Sequence, residues 1–365
     1  MRSKSLAVGL LTLSAAFSLF AETPKLTPVS TRDKKIVRRW SIEGQPRGVA
    51  VGPNGTVYVG LADRQSVIAV DPSTGSVLRE LVLDSAHIAA TKELVTVRTN
   101  AAGNRLYIAN GSDESATILA IPSLAVIREI TMEGETIRDA LPDPKGKHLY
   151  LLGRRVHVFD ADGKAELRTL NFDDPMAIAV NSTGTTLAVI GTEDFGNAKA
   201  TVAVLYDTTT FAEVAREPLQ TDKTIEAALF AASDRSLIAV SREHVFEKPV
   251  VTKKNTIAQM EGSGAQVRMR INFGDVVNSD RICLPVGSGP QIATTGTPSE
   301  LLIYAERRCS SSGAFAGSSR RISPASLYGV NVYALAYDRM NNTLAATDPA
   351  GFLTIYKVPR PALAR

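Results

Sequence analysis

The chain has 365 residues, 44% hydrophobic and 21% charged, enough apolar material for two domains or one large β architecture. Its 41 basic and 37 acidic residues leave a net charge of +4, two units of which (Arg2 and Lys4) lie in the N-terminal segment. So small an excess implies no nucleic-acid partner.

Residues 1–21, MRSKSLAVGLLTLSAAFSLFA, carry two positive charges and then an acid-free apolar run from Leu6 to Ala21. This is the pattern of a secretory signal, and Glu22, Thr23 and Pro24 end it. Ala16, Ser18 and Ala21 offer small residues for cleavage, and no cysteine is near to carry a lipid. An uncleaved anchor is the other reading, but the run is short for a membrane span. No later segment is apolar for long enough to cross a bilayer, so a bacterial periplasmic or secreted protein is expected, with no span once the signal is removed.

Next comes KIVRRW (35–40), a strand pattern with no repeat unit before it. PRGVAVGPNGTVYVG (46–60) then alternates apolar and other residues on both sides of an Asn54-Gly55 turn, the strongest short hairpin signal. The second strand of this hairpin recurs as RLYIA (105–109), HLYLL (148–152), TLAVI (186–190), SLIAV (236–240), ELLIY (300–304) and TLAAT (343–347). Anchored on Val57, Leu106, Leu149, Leu187, Leu237, Leu301 and Leu344, the spacings are 49, 43, 38, 50, 64 and 43 residues. Third strands read SVIAVD (66–71), ATILAI (116–121), RVHVFD (155–160), TVAVLYD (201–207), QVRMRINF (266–273) and FLTIYKV (352–358). Fourth strands carry an arginine in an apolar frame: VLREL (77–81), VIREI (126–130), ELRTL (166–170) and VAREPL (214–219).

Seven all-β units of four strands predict a propeller rather than a solenoid. The chain ends test this. The seventh unit stops after its third strand, and KIVRRW matches the missing fourth, so the N-terminal strand is expected to complete the last blade and close the ring. The expected fold is therefore an all-β, seven-bladed β-propeller over 33–358, with a C-terminal tail at 359–365. The 64-residue spacing is read as an inserted loop at 242–264, between the second and third strands of blade 5. A second loop, RRCSSSGAFAGSSRRISPAS (307–326), is basic and rich in serine and glycine.

The stretches PRGVAVGPNGTVYVGLADRQSVIAVDPSTGSVLREL and VGSGPQIATTGTPSELLIYA resemble the YVTN-type repeats of exported seven-bladed propellers, within the lactonase and amine-dehydrogenase-like superfamily. The likeness extends over most of the chain after the leader, although VTVRTN in blade 2 and the letters of blades 5 and 6 depart from the motif. Such families include binding proteins of the periplasm and cell surface, lactonase relatives and subunits associated with redox enzymes. The resemblance thus implies the fold and leaves the function open. Trp-Asp and Gly-Gly dipeptides are absent, against two other repeat types, and Trp40 is the only tryptophan, with packing in the closing strand as its expected role.

Aligning the seven hairpins brings Arg47, Val95, Arg138, Met176, Glu226, Gln291 and Tyr333 to one level where the innermost strands begin. Two arginines, a glutamate, a glutamine and a tyrosine there predict a polar channel mouth, with Arg47 and Arg138 available to an anionic or carboxylate group. The competing reading has Arg47, Arg138 and Glu226 satisfying one another around trapped water. Cys283 and Cys309 fit an oxidising compartment as a disulfide that would pin the blade 6 loop, or stand as two thiols.

Catalytic patterns are not found. No Gly-x-Ser-x-Gly occurs, and His87, His148, His157 and His244 fall at unrelated positions. Asp160-Ala161-Asp162-Gly163 lacks the remaining ligands of a calcium loop and reads as a turn. No catalytic residue, metal or cofactor is assigned. The expected function is an exported, monomeric, non-catalytic binding module for a protein or cell-envelope ligand. The alternatives are a lactonase-like hydrolase using the channel mouth, or a partner subunit of a periplasmic redox complex.

Overall fold

The computed structural model describes residues 23–32, 36–83, 95–110, 114–195 and 198–219, and beyond these 225, 227–230, 236–240, 244–251, 256–257, 267–272, 275–276, 291–293, 300–304, 325–326, 334–338, 341, 343–348 and 350–357. Two strands, β1 (Leu26–Pro28) and β2 (Ile36–Ile42), precede the first repeat. Blade 1 is β3 (Pro46–Val51), β4 (Val57–Leu61), β5 (Ser66–Val70) and β6 (Val77–Val82). Blade 2 is β7 (Val95–Thr99), β8 (Arg105–Asn110), β9 (Ser115–Ala120) and β10 (Val126–Thr131). Blade 3 is β11 (Asp139–Pro142), β12 (His148–Leu152), β13 (Val156–Asp160) and β14 (Glu166–Leu170). Blade 4 is β15 (Asp174–Val180), β16 (Thr186–Phe195), β17 (Ala198–Asp207) and β18 (Glu213–Pro218).

The fifth sheet holds β19 (Ala227–Phe230), β20 (Ser236–Val240), β21 (His244–Val251), β22 (Thr256–Ile257), β23 (Val267–Asn272) and β24 (Asp275–Val276). The sixth holds β25 (Gln291–Ala293), β26 (Glu300–Tyr304) and β27 (Ala325–Ser326). In the seventh, β28 (Ala334–Asp338), β29 (Thr343–Thr347) and β30 (Phe352–Lys357) are joined by β2 and then β1. Seven antiparallel sheets, with first strands side by side at β28–β3, β3–β7, β7–β11 and β15–β19, make a seven-bladed β-propeller.

The ring closes as the chain ends required. Strand β2 pairs with β30, Trp40 opposite Leu353, while β1 adds a further strand upstream that the repeat pattern did not announce. Trp40 is buried, its indole N–H donates to the Pro72 carbonyl at 3.3 Å, and its ring fills the space beside Gly75. The closing strand is thereby fastened to blade 1 as well as to blade 7. Arg39 reinforces it by lying over the Phe352 ring at 4.0 Å, with Asp348 3.7 Å away.

The hairpin turns repeat because their hydrogen bonds repeat. The amides of Gly55, Gly103, Gly146 and Gly184 donate to the carbonyls of Gly52, Asn100, Asp143 and Asn181, and all four glycines have φ between +66° and +77°. That conformation is free of Cβ strain only for glycine, which explains why shape persists while the other letters drift. The core lies between blades. Val57, Val59 and Leu61 face blade 7, whereas Tyr58, one residue out of phase, packs towards blade 2. All five residues of β4 are therefore buried. Each such aliphatic side chain contributes about 1.5–3 kcal/mol.

Blade 5 differs from the sequence reading. Strand β21 pairs directly with β20, and β23 pairs with β21. The 242–264 stretch, expected to be an inserted loop, therefore supplies the third strand, and VRMRIN of the expected third strand becomes the fourth. Valines at 245, 250 and 251 give the segment strand character, which Glu247, Lys248 and Pro249 mask in the sequence.

Candidate functional site

The five described residues of the predicted channel-mouth level stand at or next to the start of the first strand of their sheet. Arg47 is the second residue of β3, Val95 opens β7, Arg138 directly precedes β11, Met176 is third in β15 and Gln291 opens β25. Glu226 and Tyr333 precede β19 and β28 by one residue but lie outside the described residues, as do Cys283 and Cys309. At this level two innermost strands are bulged: Pro46 pairs with Leu61 and Val49 with Val59, and Pro175 pairs with Gly191 and Ala177 with Ile190. The bulges, which re-aim a strand locally, contain Arg47 and Met176.

What the level does is join blades. The Thr347 hydroxyl of blade 7 donates to the Arg47 carbonyl, and Thr96 of blade 2 donates to the Arg138 carbonyl at 2.9 Å. The Arg138 guanidinium donates to the Gly153 carbonyl at 2.7 Å and also to the Pro175 carbonyl across the junction with blade 4. The Met176 sulfur accepts the Ile225 amide at 3.3 Å, tying blade 4 to blade 5. Among the described residues, these bonds stitch four junctions at this level, largely through main-chain carbonyls. Arg47 is 9% exposed; burial pulls its guanidinium below the ordinary value, and the charge of Asp63 pushes it back up.

One step along the same strands lies an ion pair that the sequence reading missed. Arg98 on β7 grips Asp139 on β11 through Nε and Nη2, both at 2.7 Å. Burial opposes the arginine's charge, but Asp139 outweighs it and leaves the guanidinium above its ordinary value. The signal was available: Arg98 interrupts the apolar habit of an innermost strand, as Arg47 does, and Asp139 adjoins Arg138.

The histidines have different surroundings. His157 is buried between two carboxylates, with Nδ1 2.8 Å from Glu166 and Nε2 3.1 Å from Glu135. His148 lies edge-on to Phe211 at 5.3 Å, 3.6 Å from Asp143, and burial lowers its pKa against that carboxylate. His244 opens β21, and His87 is outside the described residues. Asp160 ends β13 and Asp162 lies in the turn that follows. Asp160 accepts the Lys164 amide at 2.7 Å, and Asp162 meets the Lys164 ammonium at 2.9 Å and Arg105 at 2.7 Å. Among the described residues no group of three or more His, Cys, Asp or Glu is placed to hold a metal ion.

The outer strands carry a second repeated feature. In β6, β10, β14, β18 and β2 the register against the third strand slips by one, leaving Leu78, Ile127, Leu167, Val214 and Val37 as the extra residues. In four of these bulges the next residue is arginine: Arg79, Arg128, Arg168 and Arg38. Blade 4 has Ala215 there, so the arginine of VAREPL stands one position later than its counterparts. Bulges spoil an edge for pairing with another strand. Here they also turn apolar side chains outwards: Leu78, Ile127, Leu167 and Val37 are 41–54% exposed, whereas Val214 is half-buried.

No protein-family model matches the sequence, and no curated protein matches it. Among solved structures, the β-propeller domain of Cps50 (Swd1) from Myceliophteria thermophila is similar over 92% of this chain and 100% of that domain, with a TM-score of 0.61 and 15% identity. A likeness at this identity, in a fold met in 1554 similar solved chains, establishes a β-propeller and no particular activity.

Proposed function

We propose that this chain is an exported, non-catalytic propeller of the YVTN-repeat kind that binds a protein or cell-envelope partner, in the periplasm or outside a bacterial cell. The observation that carries the reading is the exposed apolar residue repeated at the outer-strand bulges of blades 7, 1, 2 and 3 (Val37, Leu78, Ile127 and Leu167). Scattered surface leucines need no explanation, but repetition at one structural position around adjacent blades gives a macromolecular partner a row of apolar contacts. Export rests on the leader at 1–21, with its two basic residues and acid-free apolar run.

A small ligand at the channel mouth is the second reading, favoured by the polar residues Arg47, Arg138, Glu226, Gln291 and Tyr333 that the hairpin alignment of the sequence brings to one level. It is weakened by Arg138, whose guanidinium is bound to two main-chain carbonyls. The test places a photo-crosslinking residue at Leu78, Ile127, Leu167 or Gln291 of the full chain in cell-envelope preparations. The proposal expects one adduct of common mass from the three outer positions. Adducts from none of them, together with turnover of a lactone panel that Arg47→Ala abolishes, would overturn it.

A further inference from the structure

His157 sits where a chain of contacts runs from the outer edge of blade 3 to the channel-mouth level. On one side, Glu166 Oε1 lies 2.8 Å from Nδ1 and also accepts the Thr169 hydroxyl at 2.6 Å. On the other, Glu135 Oε2 lies 3.1 Å from Nε2, on the connection between β10 and β11. Glu135 is itself buried, and its Oε1 accepts the Arg155 amide at 2.7 Å. It presses on Gly153, where an added Cβ would stand 2.5 Å from Oε1. Gly153 in turn supplies the carbonyl that holds Arg138.

Valence decides the state of the ring. Ionised carboxylates only accept hydrogen bonds, and a neutral imidazole donates from one nitrogen and presents a lone pair at the other. A neutral ring would therefore turn a lone pair towards one of these carboxylates in a buried site. Two ionised acceptors, one at each ring nitrogen, are both satisfied only when both nitrogens carry a proton. Glu166 is consistent with this: burial raises it, yet the bonds from Thr169 and His157 together hold it below the usual carboxylate range. Among the described residues the charged groups at the ring are Glu135 from the connection and Glu166 from β14, with Arg155 beside Glu166.

We propose that His157 is doubly protonated and acts as a proton-operated clasp. It joins the blade 2–blade 3 connection to the outer strand of blade 3, and on losing a proton it loosens Glu135, the Arg155 amide and the seat of Arg138. The bistable element is the Glu135 connection, biased by one proton.

The test uses the full chain with 15N-labelled histidine, the His157 signals being assigned by their loss in His157→Gln. Wild type at neutral pH is expected to show protons on both ring nitrogens. Protection of the Arg155 amide from hydrogen exchange, corrected for intrinsic rate, should fall at least tenfold once the ring is titrated. In Glu135→Gln the side-chain oxygen still accepts from Arg155 and the amide nitrogen can donate to Nε2. That variant should fold, hold a neutral ring protonated only at Nδ1, and keep Arg155 protection independent of pH. A neutral single-tautomer ring in wild type, or a Glu135→Gln ring still protonated at both nitrogens, overturns the proposal. So does Arg155 protection that does not change when the ring titrates.

Discussion

Gly191→Ala should destabilise this propeller more than Gly146→Ala in a hairpin turn, and for a different reason. Gly191 faces Pro175 across the blade 4 bulge. A Cβ placed on it would stand 2.2 Å from the Asp174 carbonyl oxygen, 2.7 Å from the Phe172 ring and 2.7 Å from the Pro175 Cα. Two of these atoms are main chain, so β15 itself must retreat by more than an ångström. Overpacking of this kind costs about 1–3 kcal/mol. The same retreat withdraws the Pro175 carbonyl from the Arg138 guanidinium, and a hydrogen bond to a charged group is worth about 1.5–3 kcal/mol. Against this, removing a strand glycine returns about 0.5–1 kcal/mol. The balance is a loss of about 2–4 kcal/mol, read as a fall of about 5 °C or more in Tm. Gly146→Ala is the control: φ is +67° and nothing lies within 4 Å of the added carbon, so only backbone strain of about 1–2 kcal/mol applies. Thermal and urea unfolding of the two purified variants decides the matter. If Gly191→Ala is as stable as wild type, or milder than Gly146→Ala, the strand approach and the Arg138 strut do not carry the energy assigned to them.

Three other outcomes are expected. Arg138→Met should lower stability by about 1.5–3 kcal/mol with no ligand present, measured by urea unfolding; an unchanged midpoint would mean the side chain is not a strut between blades 3 and 4. Asp348 is held above the usual carboxylate range by burial, with hydrogen bonds from the Phe352 and Ala350 amides and the charge of Arg39 acting the other way. The folded state therefore binds that proton more tightly than the unfolded chain, and ionising it costs stability as pH rises through the folded pKa. Asp348→Asn should gain stability relative to wild type across that rise in paired melts, and a gap that is flat or shrinks with pH contradicts the assignment. Joint replacement of Leu78, Ile127 and Leu167 by threonine should change stability by no more than about 0.5 kcal/mol per site while removing the crosslinked partner; a large loss of stability would make these residues core rather than contact.

The propeller was legible wherever a residue type is tied to a backbone shape. Glycine at positive φ marks the Gly55, Gly103, Gly146 and Gly184 turns, and KIVRRW announced the closing strand because its apolar frame matches the fourth strands. The outer bulges were not legible, since an extra residue changes pairing without changing composition. Alignment on the arginines concealed that Arg216 stands one place beyond Arg79, Arg128 and Arg168. The third strand of blade 5 was hidden by its charges and proline. At the expected mouth, the letters offered Arg138 to an anion but not its partners, because the Gly153 and Pro175 carbonyls have no letter of their own. His157 was passed over for a similar reason: Glu135 and Glu166 reach it from a connection and from another strand, at 22 and 9 residues' distance.

The two rims of the molecule make opposite demands on a binding partner. A carboxylate that takes Arg138 through Nη2 must first displace that nitrogen from two carbonyls. If that forfeits about 3 kcal/mol, affinity falls about a hundredfold before any new contact is made. The side chains at the outer bulges have no such bonds to surrender. Their backbone is already displaced from the ladder and their apolar carbons already face outwards. Binding there needs no reorganisation of the scaffold, and covering apolar area is favourable from the first contact. Preorganisation therefore favours the outer rim for a partner. Freeing Nη2 of Arg138 would give an anion the whole guanidinium, and the Glu135–His157 clasp adjoins that strut through Gly153.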